Sequence, residues 1–353
     1  VWVDYLSRTL LESGELEQMT HDDAVVGVTS NPTIFQKALA EGDSYDEQLR
    51  AVLTRTQDPK EIFVALASRD VSDACDLLHP IWEATKGADG YVSMEVDPTF
   101  AFNIEATLDE AMRLHTDINK PNLLVKIPAT KPGLAAIEEM IARGHSINVT
   151  LIFSLERYAE VAEAYIAGLE RLVEDGGDAS TVHSVASFFV SRVDSEADKR
   201  LDAVGGHDHL KGKLAVANAK LAYERFEALF SGPRWEALAA QGARTQRCLW
   251  ASTSTKDPAY SDILYVTELI GRDTVNTMPE ETIRAFQDHG EPSSTLTTDL
   301  DGARQLVADI AAAGVDYDDV TALLEREGVE KFAASFAQLI QGIVARREAL
   351  LTT

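Results

Sequence analysis

Short runs of Val, Ile and Leu recur along the chain, each too brief for a helix and separated by stretches whose apolar residues return every three or four positions. The runs fall at 1–5, 25–30, 91–96, 123–128, 147–153, 182–190, 248–252 and 274–278 and predict eight strands. The segments between them are long enough for crossover helices. Leu155, Tyr158, Ala162, Tyr165, Ile166 and Leu169, for example, share one helical face behind Ser154, a residue type suited to cap it. Strand and helix alternating in this way imply parallel pairing.

Eight such units in 353 residues predict an α/β fold, a (β/α)8 TIM barrel with additional helices in inserted loops and at the C-terminus, since barrels typically need about 250 residues. A doubly wound sheet is the alternative, but no strand is followed by a Gly-x-Gly-x-x-Gly turn. The surplus length falls between the second and third strands, between the sixth and seventh, and after the eighth. One domain over 1–353 is expected, with C-terminal helices from about 300 to 353 packed on the barrel, because Phe332, Phe336, Leu339, Ile340, Ile343 and Val344 make one apolar stripe. The chain opens on Val1 inside a strand-like run rather than on Met, so a short preceding segment is expected.

Side-chain parity makes the strands informative, because alternate residues of a barrel strand face the helices and the lumen. Trp2 and Asp4 share one face of the first strand, Ser93 and Glu95 of the third, Leu124 and Lys126 of the fourth, Asn148 and Thr150 of the fifth, and Ser187 and Phe189 of the sixth. The second strand ends in Thr29, Ser30 and Asn31. Two acids, an amine, an amide and a hydroxyl thus fall on the expected inner face toward the C-terminal strand ends, where barrel active sites lie. Taken singly, each reads as a solvated edge residue or half of an ion pair. Together they predict a convergent site.

Lys126 is the sharpest of these, because Asn-Leu-Leu-Val-Lys-Ile-Pro sets an amine inside an apolar strand, where an unpaired charge is costly. Desolvation and cationic neighbours lower a lysine's pKa and make it a nucleophile toward carbonyl carbon, so Schiff-base chemistry is expected. The structural alternative is a buried ion pair with Glu95 or Asp4. Imine chemistry needs an acid for dehydration and a base at a departing hydroxyl, roles that Glu95 and Asp4 can divide. Thr150 is placed to hold a water between Glu95 and an imine nitrogen.

Composition narrows the partners. Hydrophobic residues at 45% and charged residues at 25% describe a globular chain rather than a disordered one. Asp and Glu number 58 against 32 Lys and Arg, a formal charge of -26, so the average field repels phosphate polymers and neither nucleic acid nor membrane is an expected partner. Cys75 and Cys248 have no paired spacing, and no apolar run reaches membrane-spanning length, which predicts a cytoplasmic protein. His207-Asp208-His209 lies in a Gly-rich polar loop without a third ligand and reads as solvated surface. No metal and no cofactor is expected.

The strings that carry these residues resemble the transaldolase family. Gly27-Val28-Thr29-Ser30-Asn31-Pro32, Leu124-Val125-Lys126-Ile127-Pro128-Ala129-Thr130 and Asn148-Val149-Thr150-Leu151-Ile152-Phe153-Ser154 match it in order. So do Val3-Asp4, Ser93-Met94-Glu95-Val96-Asp97 and Ser187-Phe188-Phe189-Val190-Ser191-Arg192. The resemblance covers six strands in the first two hundred residues, and the insertions are similar to those of the larger actinobacterial or plant-like members. It implies a class I enzyme of the non-oxidative pentose phosphate pathway that moves a dihydroxyacetone unit. The donor would be sedoheptulose 7-phosphate or fructose 6-phosphate, and the acceptor glyceraldehyde 3-phosphate or erythrose 4-phosphate.

On that resemblance Lys126 forms the imine, Asp4 takes the C4 hydroxyl proton, and Glu95 acts through a water held by Thr150. Thr29, Asn31 and Asn148 hold the dihydroxyacetone part, while Ser187 and Arg192 contact phosphate. The seventh strand departs from the family's short Ala-Ser-Phe-Arg type: here Ala251-Ser252-Thr253-Ser254-Thr255-Lys256 is longer, and Lys256 is the candidate replacement for the arginine. Related fructose 6-phosphate aldolases tend to carry tyrosine where this chain has Phe189, so Phe189 favours transfer over release of dihydroxyacetone. A releasing aldolase and a non-catalytic sugar-phosphate-binding barrel are the competing readings, and the expected state is a monomer or homodimer.

Overall fold

In the computed structural model, which describes residues 1–40 and 42–351, eight strands form: β1 (Trp2–Val3), β2 (Gly27–Val28), β3 (Tyr91–Glu95), β4 (Leu123–Pro128), β5 (Ile147–Ile152), β6 (Ser184–Phe189), β7 (Arg247–Ala251) and β8 (Thr274–Met278). Their order is β1-β2-β3-β4-β5-β6-β7-β8, closed into a barrel, and the registered pairs are parallel. Each predicted strand is present, with β1, β2 and β6 shorter than the apolar runs suggest. The expected Ser154 cap is made: its hydroxyl accepts from the Arg157 amide at 3.0 Å at the start of the helix Leu155–Glu174.

Extra helices occupy the three long intervals. Pro32–Ala40, Asp46–Leu53 and Pro59–Ala84 lie between β2 and β3; Ser191–Val204, Leu214–Leu229 and Gly232–Ala239 lie between β6 and β7; Glu280–His289, Leu300–Ala312 and Tyr317–Leu351 follow β8. The last two positions of the expected C-terminal tail, 352 and 353, lie outside the described residues. Among the described residues no helix is long and apolar enough to cross a membrane.

The chain divides into two compact units, Val1–Lys126 with Val329–Thr353, and Ile127–Gly328. In the first, Phe35, Phe63 and Phe336 stack edge to face at 5.5–5.6 Å, so the final helix contributes to that unit's core. Phe332, Phe336, Leu339 and Ile343 of the predicted stripe are buried there. Close approach explains one glycine: a Cβ on Gly27 would stand 2.5 Å from the Trp2 indole. A charged cluster sits under this core. Arg8 Nε donates to Asp70 Oδ1 at 2.5 Å, the Tyr45 hydroxyl donates to Asp70 Oδ2 at 2.6 Å, and Arg8 Nη2 donates to Gln48 at 2.5 Å. Asp70 is fully buried, and that burial raises its carboxyl above the usual range despite both donors.

In the second unit, the helices Lys131–Ala142 and Leu155–Glu174 approach closely, with a Cβ on Gly168 blocked at 2.7 Å by the Glu138 carbonyl. His183, just before β6, is buried, and burial with the nearby charge of Arg244 and Arg247 pushes its imidazole down from 6.5 to about 4. Between those values the unfolded chain binds the extra proton, so this contribution is complete above pH 6.5 and is lost as pH falls toward 4, by about 3 kcal/mol. His183→Gln is expected to flatten that part of the stability curve in urea titrations at several pH values; the wild-type slope in the variant would refute the assignment.

Candidate active site

The strand-end residues of the first unit form two contacts. Asp4, directly after β1, accepts a hydrogen bond from the Thr29 hydroxyl at 2.7 Å. Lys126 on β4 stands in register with Glu95 on β3, and the shared face brings Lys126 Nζ to 3.5 Å from Glu95 Oε2. Both are almost fully buried, at 5% and 7% exposure. The amine also donates to the Ser30 carbonyl at 3.2 Å and lies 5.8 Å from the Phe332 ring centroid, within cation–π reach. Of the two acids open to it on sequence grounds, the amine takes Glu95.

Asn31 has a local task beside the substrate contact that the resemblance implies. Its side-chain oxygen accepts from the Thr33 and Ile34 amides at 3.0 and 3.1 Å, capping the helix Pro32–Ala40. The signal was present as an Asn before a Pro, a common entry to a helix. Asp97, the last residue of the Glu95 motif, belongs to a loop network. It pairs with Lys60 and accepts from the Thr99 amide and hydroxyl at 2.8 and 2.6 Å.

In the second unit, Asn148 and Thr150 on β5 are fully buried. Asn148 Oδ1 accepts from the Ser187 hydroxyl of β6 at 2.7 Å. The Thr150 hydroxyl has no hydrogen-bond partner among the described residues, an arrangement that is costly in a buried site unless something binds there. The β5–β6 register shifts between Val149 and Ile152, and Leu151 takes φ +61°, the mark of a bulge that re-aims a strand end. Parity alone cannot foresee it.

Arg192, in the first turn of the helix Ser191–Val204, lies over the Phe189 ring at 5.2 Å, with Phe153 on Phe189 at 5.3 Å. Ser191 and Ser252 hold their hydroxyls 2.9 Å apart, so the ends of β6 and β7 are tied together. Lys256 is on the exposed loop after β7 and donates to Ser254 Oγ at 2.7 Å. In the His207-Asp208-His209 segment, Asp208 pairs with Lys211 at 2.8 Å, as suits a solvated loop. Within the units the structure therefore joins Asp4 with Thr29, Glu95 with Lys126, and Asn148 with Ser187. Phe332, the Ser30 carbonyl and the β5 bulge are the additions.

A closed parallel barrel carrying its buried polar groups at strand ends is the architecture of the (β/α)8-barrel enzymes. The family model described as transaldolase/fructose-6-phosphate aldolase matches residues 1–343. A protein named transaldolase from Frankia alni is 53% identical over 350 residues, covering 98% of this chain and 94% of that protein. One from Acidothermus cellulolyticus is 52% identical over 355 residues, covering 99% and 95%, and one from Mycolicibacterium paratuberculosis 50% identical over 345, covering 97% and 92%. The chain belongs to the transaldolase/fructose-6-phosphate aldolase family.

Proposed function

We propose that this chain is a class I transaldolase of the non-oxidative pentose phosphate pathway. It moves a dihydroxyacetone unit from sedoheptulose 7-phosphate or fructose 6-phosphate to glyceraldehyde 3-phosphate or erythrose 4-phosphate. The observation that carries the mechanism is the Lys126 amine, buried at the end of β4 with a carboxylate at 3.5 Å.

Lys126 adds to the ketose C2 carbonyl and the carbinolamine loses water to give an imine. Asp4 takes the C4 hydroxyl proton, the C3–C4 bond breaks, and its electrons pass into the imine as an enamine. The aldose phosphate leaves, and the enamine carbon attacks the incoming aldehyde. Glu95 shuttles protons for imine formation and hydrolysis through a water on Thr150, whose buried hydroxyl needs a partner. Thr29 and Asn148 hold the dihydroxyacetone hydroxyls with Asn31, whose oxygen serves the helix cap and whose side-chain NH2 would be the donor to substrate. Ser187, Arg192 and Lys256 bind phosphate. In a chain of charge -26 such cations act locally against a repelling field.

The reading includes a cytoplasmic location, sugar phosphates as partners without nucleic acid or membrane, no metal or cofactor requirement, and a monomer or homodimer. Borohydride reduction in the presence of fructose 6-phosphate, followed by peptide mass spectrometry, is expected to fix a three-carbon adduct on Lys126. Absence of an adduct on any lysine of the folded protein would favour a sugar-phosphate-binding barrel. Phe189 supports transfer over release, since an apolar ring at 5% exposure offers no hydroxyl to a discharging water. Phe189→Tyr is expected to raise free dihydroxyacetone relative to transfer product several-fold; an unchanged product ratio would remove this position from the argument.

A further inference from the structure

Two of the phosphate-binding candidates come from separate segments. Arg192 is the second residue of the helix Ser191–Val204, and Lys256 rides on the loop after β7. That helix has no side-chain cap at Val190. Its first residues hang instead on the β7 end, Val190 and Ser191 donating to the Ala251 and Ser252 carbonyls at 2.9 and 3.0 Å. Two carboxylates one turn apart, Asp194 and Asp198, then lie on one face of the helix. Each splits its oxygens in the same way. Asp194 accepts from the Ala215 amide at 2.7 Å and the Tyr265 hydroxyl at 2.8 Å; Asp198 accepts from the Gly212 amide at 2.9 Å and the Tyr260 hydroxyl at 2.7 Å.

Both tyrosines lie on the segment between β7 and β8, downstream of Lys256. The fastening continues beyond them. The Tyr265 carbonyl accepts from Asn276 Nδ2 at 3.2 Å, and Asn276 Oδ1 accepts from the Thr253 hydroxyl at 2.9 Å. A chain of hydrogen bonds thus runs from the helix that carries Arg192, through the tyrosines and β8, to the start of the loop that carries Lys256.

We infer that the Asp194–Tyr265 and Asp198–Tyr260 pairs are a clasp that positions Arg192 relative to the Lys256 loop and so sets the affinity for the substrate's phosphate. Asp194, Asp198, Tyr260 and Tyr265 are positioning residues that act through Arg192 and Lys256, and the inference rests on the phosphate role proposed for those two cations. Burying a carboxylate is an expensive way to hold a helix, and apolar packing does it at lower cost. What directional hydrogen bonds add is a unique geometry, which a site that recognises phosphate with two cations needs. Burial raises both phenols well above their usual range, so they remain donors, and it pushes the Asp194 carboxyl up to about 7.

Tyr260→Phe, Tyr265→Phe and the double variant remove only the hydroxyls. Steady-state transfer from fructose 6-phosphate and competitive inhibition by inorganic phosphate are measured for each, with circular dichroism to establish folding and Arg192→Gln as the reference. The double variant is expected to raise both KM and the phosphate inhibition constant about tenfold while kcat stays within twofold, and Arg192→Gln to raise both constants further. Constants unchanged in a folded double variant, alongside raised constants in Arg192→Gln, would overturn the clasp and leave the phosphate reading standing. Constants unchanged in Arg192→Gln would instead overturn the phosphate reading, and the clasp with it. Should the double variant not fold, Tyr260→Phe decides by the same criterion, a rise of about threefold supporting the clasp and no rise overturning it.

Discussion

Lys126→Met is expected to fold with wild-type secondary structure and to lose transfer by at least about ten-thousandfold, because in the proposed mechanism its amine supplies the covalent electron sink. Methionine has nearly the volume of the lysine stem and no charge, so the exchange keeps the packing of β4. Its main structural consequence is that Glu95 loses a cationic neighbour at 3.5 Å. The check is a coupled assay for transfer together with borohydride trapping of the same preparation. Residual turnover within about a hundredfold of wild type would end the Schiff-base proposal, whatever the competence of the fold. The same variant separates catalysis from binding: inhibition by inorganic phosphate is expected to persist, since the phosphate candidates belong to β6 and to the segments after β6 and β7.

The second large effect concerns stability. Arg8→Met is expected to cost about 3–5 kcal/mol in urea unfolding, because it leaves the Asp70 carboxylate buried without its cation. Among the described residues Asp70 then retains the Tyr45 hydroxyl as its donor, and Gln48 also loses one. The deficit should grow with pH. A carboxyl whose folded pKa is raised above its unfolded value binds the proton more tightly when folded, so stability falls as pH rises through that range. Removing Arg8 takes away an influence that now lowers the Asp70 value. A loss below about 1 kcal/mol at pH 8, or a deficit that shrinks with pH, would show that the cluster is better solvated than its burial implies.

Strand positions and the shared face of Glu95 and Lys126 were readable in the sequence because both depend on short-range alternation, which needs only a few neighbouring residues. Lys126 and Glu95 stood out for the same reason, as charges at even steps within apolar runs, and their register confirms the shared face. What escaped depends on longer range. The positive φ of Leu151 has no marker, because leucine is a poor occupant of that region and nothing nearby in sequence signals a bulge. Phe332 appeared only as one member of an apolar stripe; periodicity says that it is buried but not that it meets an amine. Nothing near Asp194 and Asp198 in the sequence marks them, since their tyrosine partners lie some sixty to seventy positions later.

The ring of Phe332 against Lys126 also sets an order on biosynthesis. The amine lies far upstream of its aromatic neighbour, which belongs to the helix Tyr317–Leu351. Domains fold as they are made, yet a nascent chain that has not reached Phe332 holds this lysine without its final cover. The amine therefore meets this ring only once the residues of that helix have been added, so a chain cut before Phe332 would leave Lys126 without the aromatic contact that the folded chain gives it.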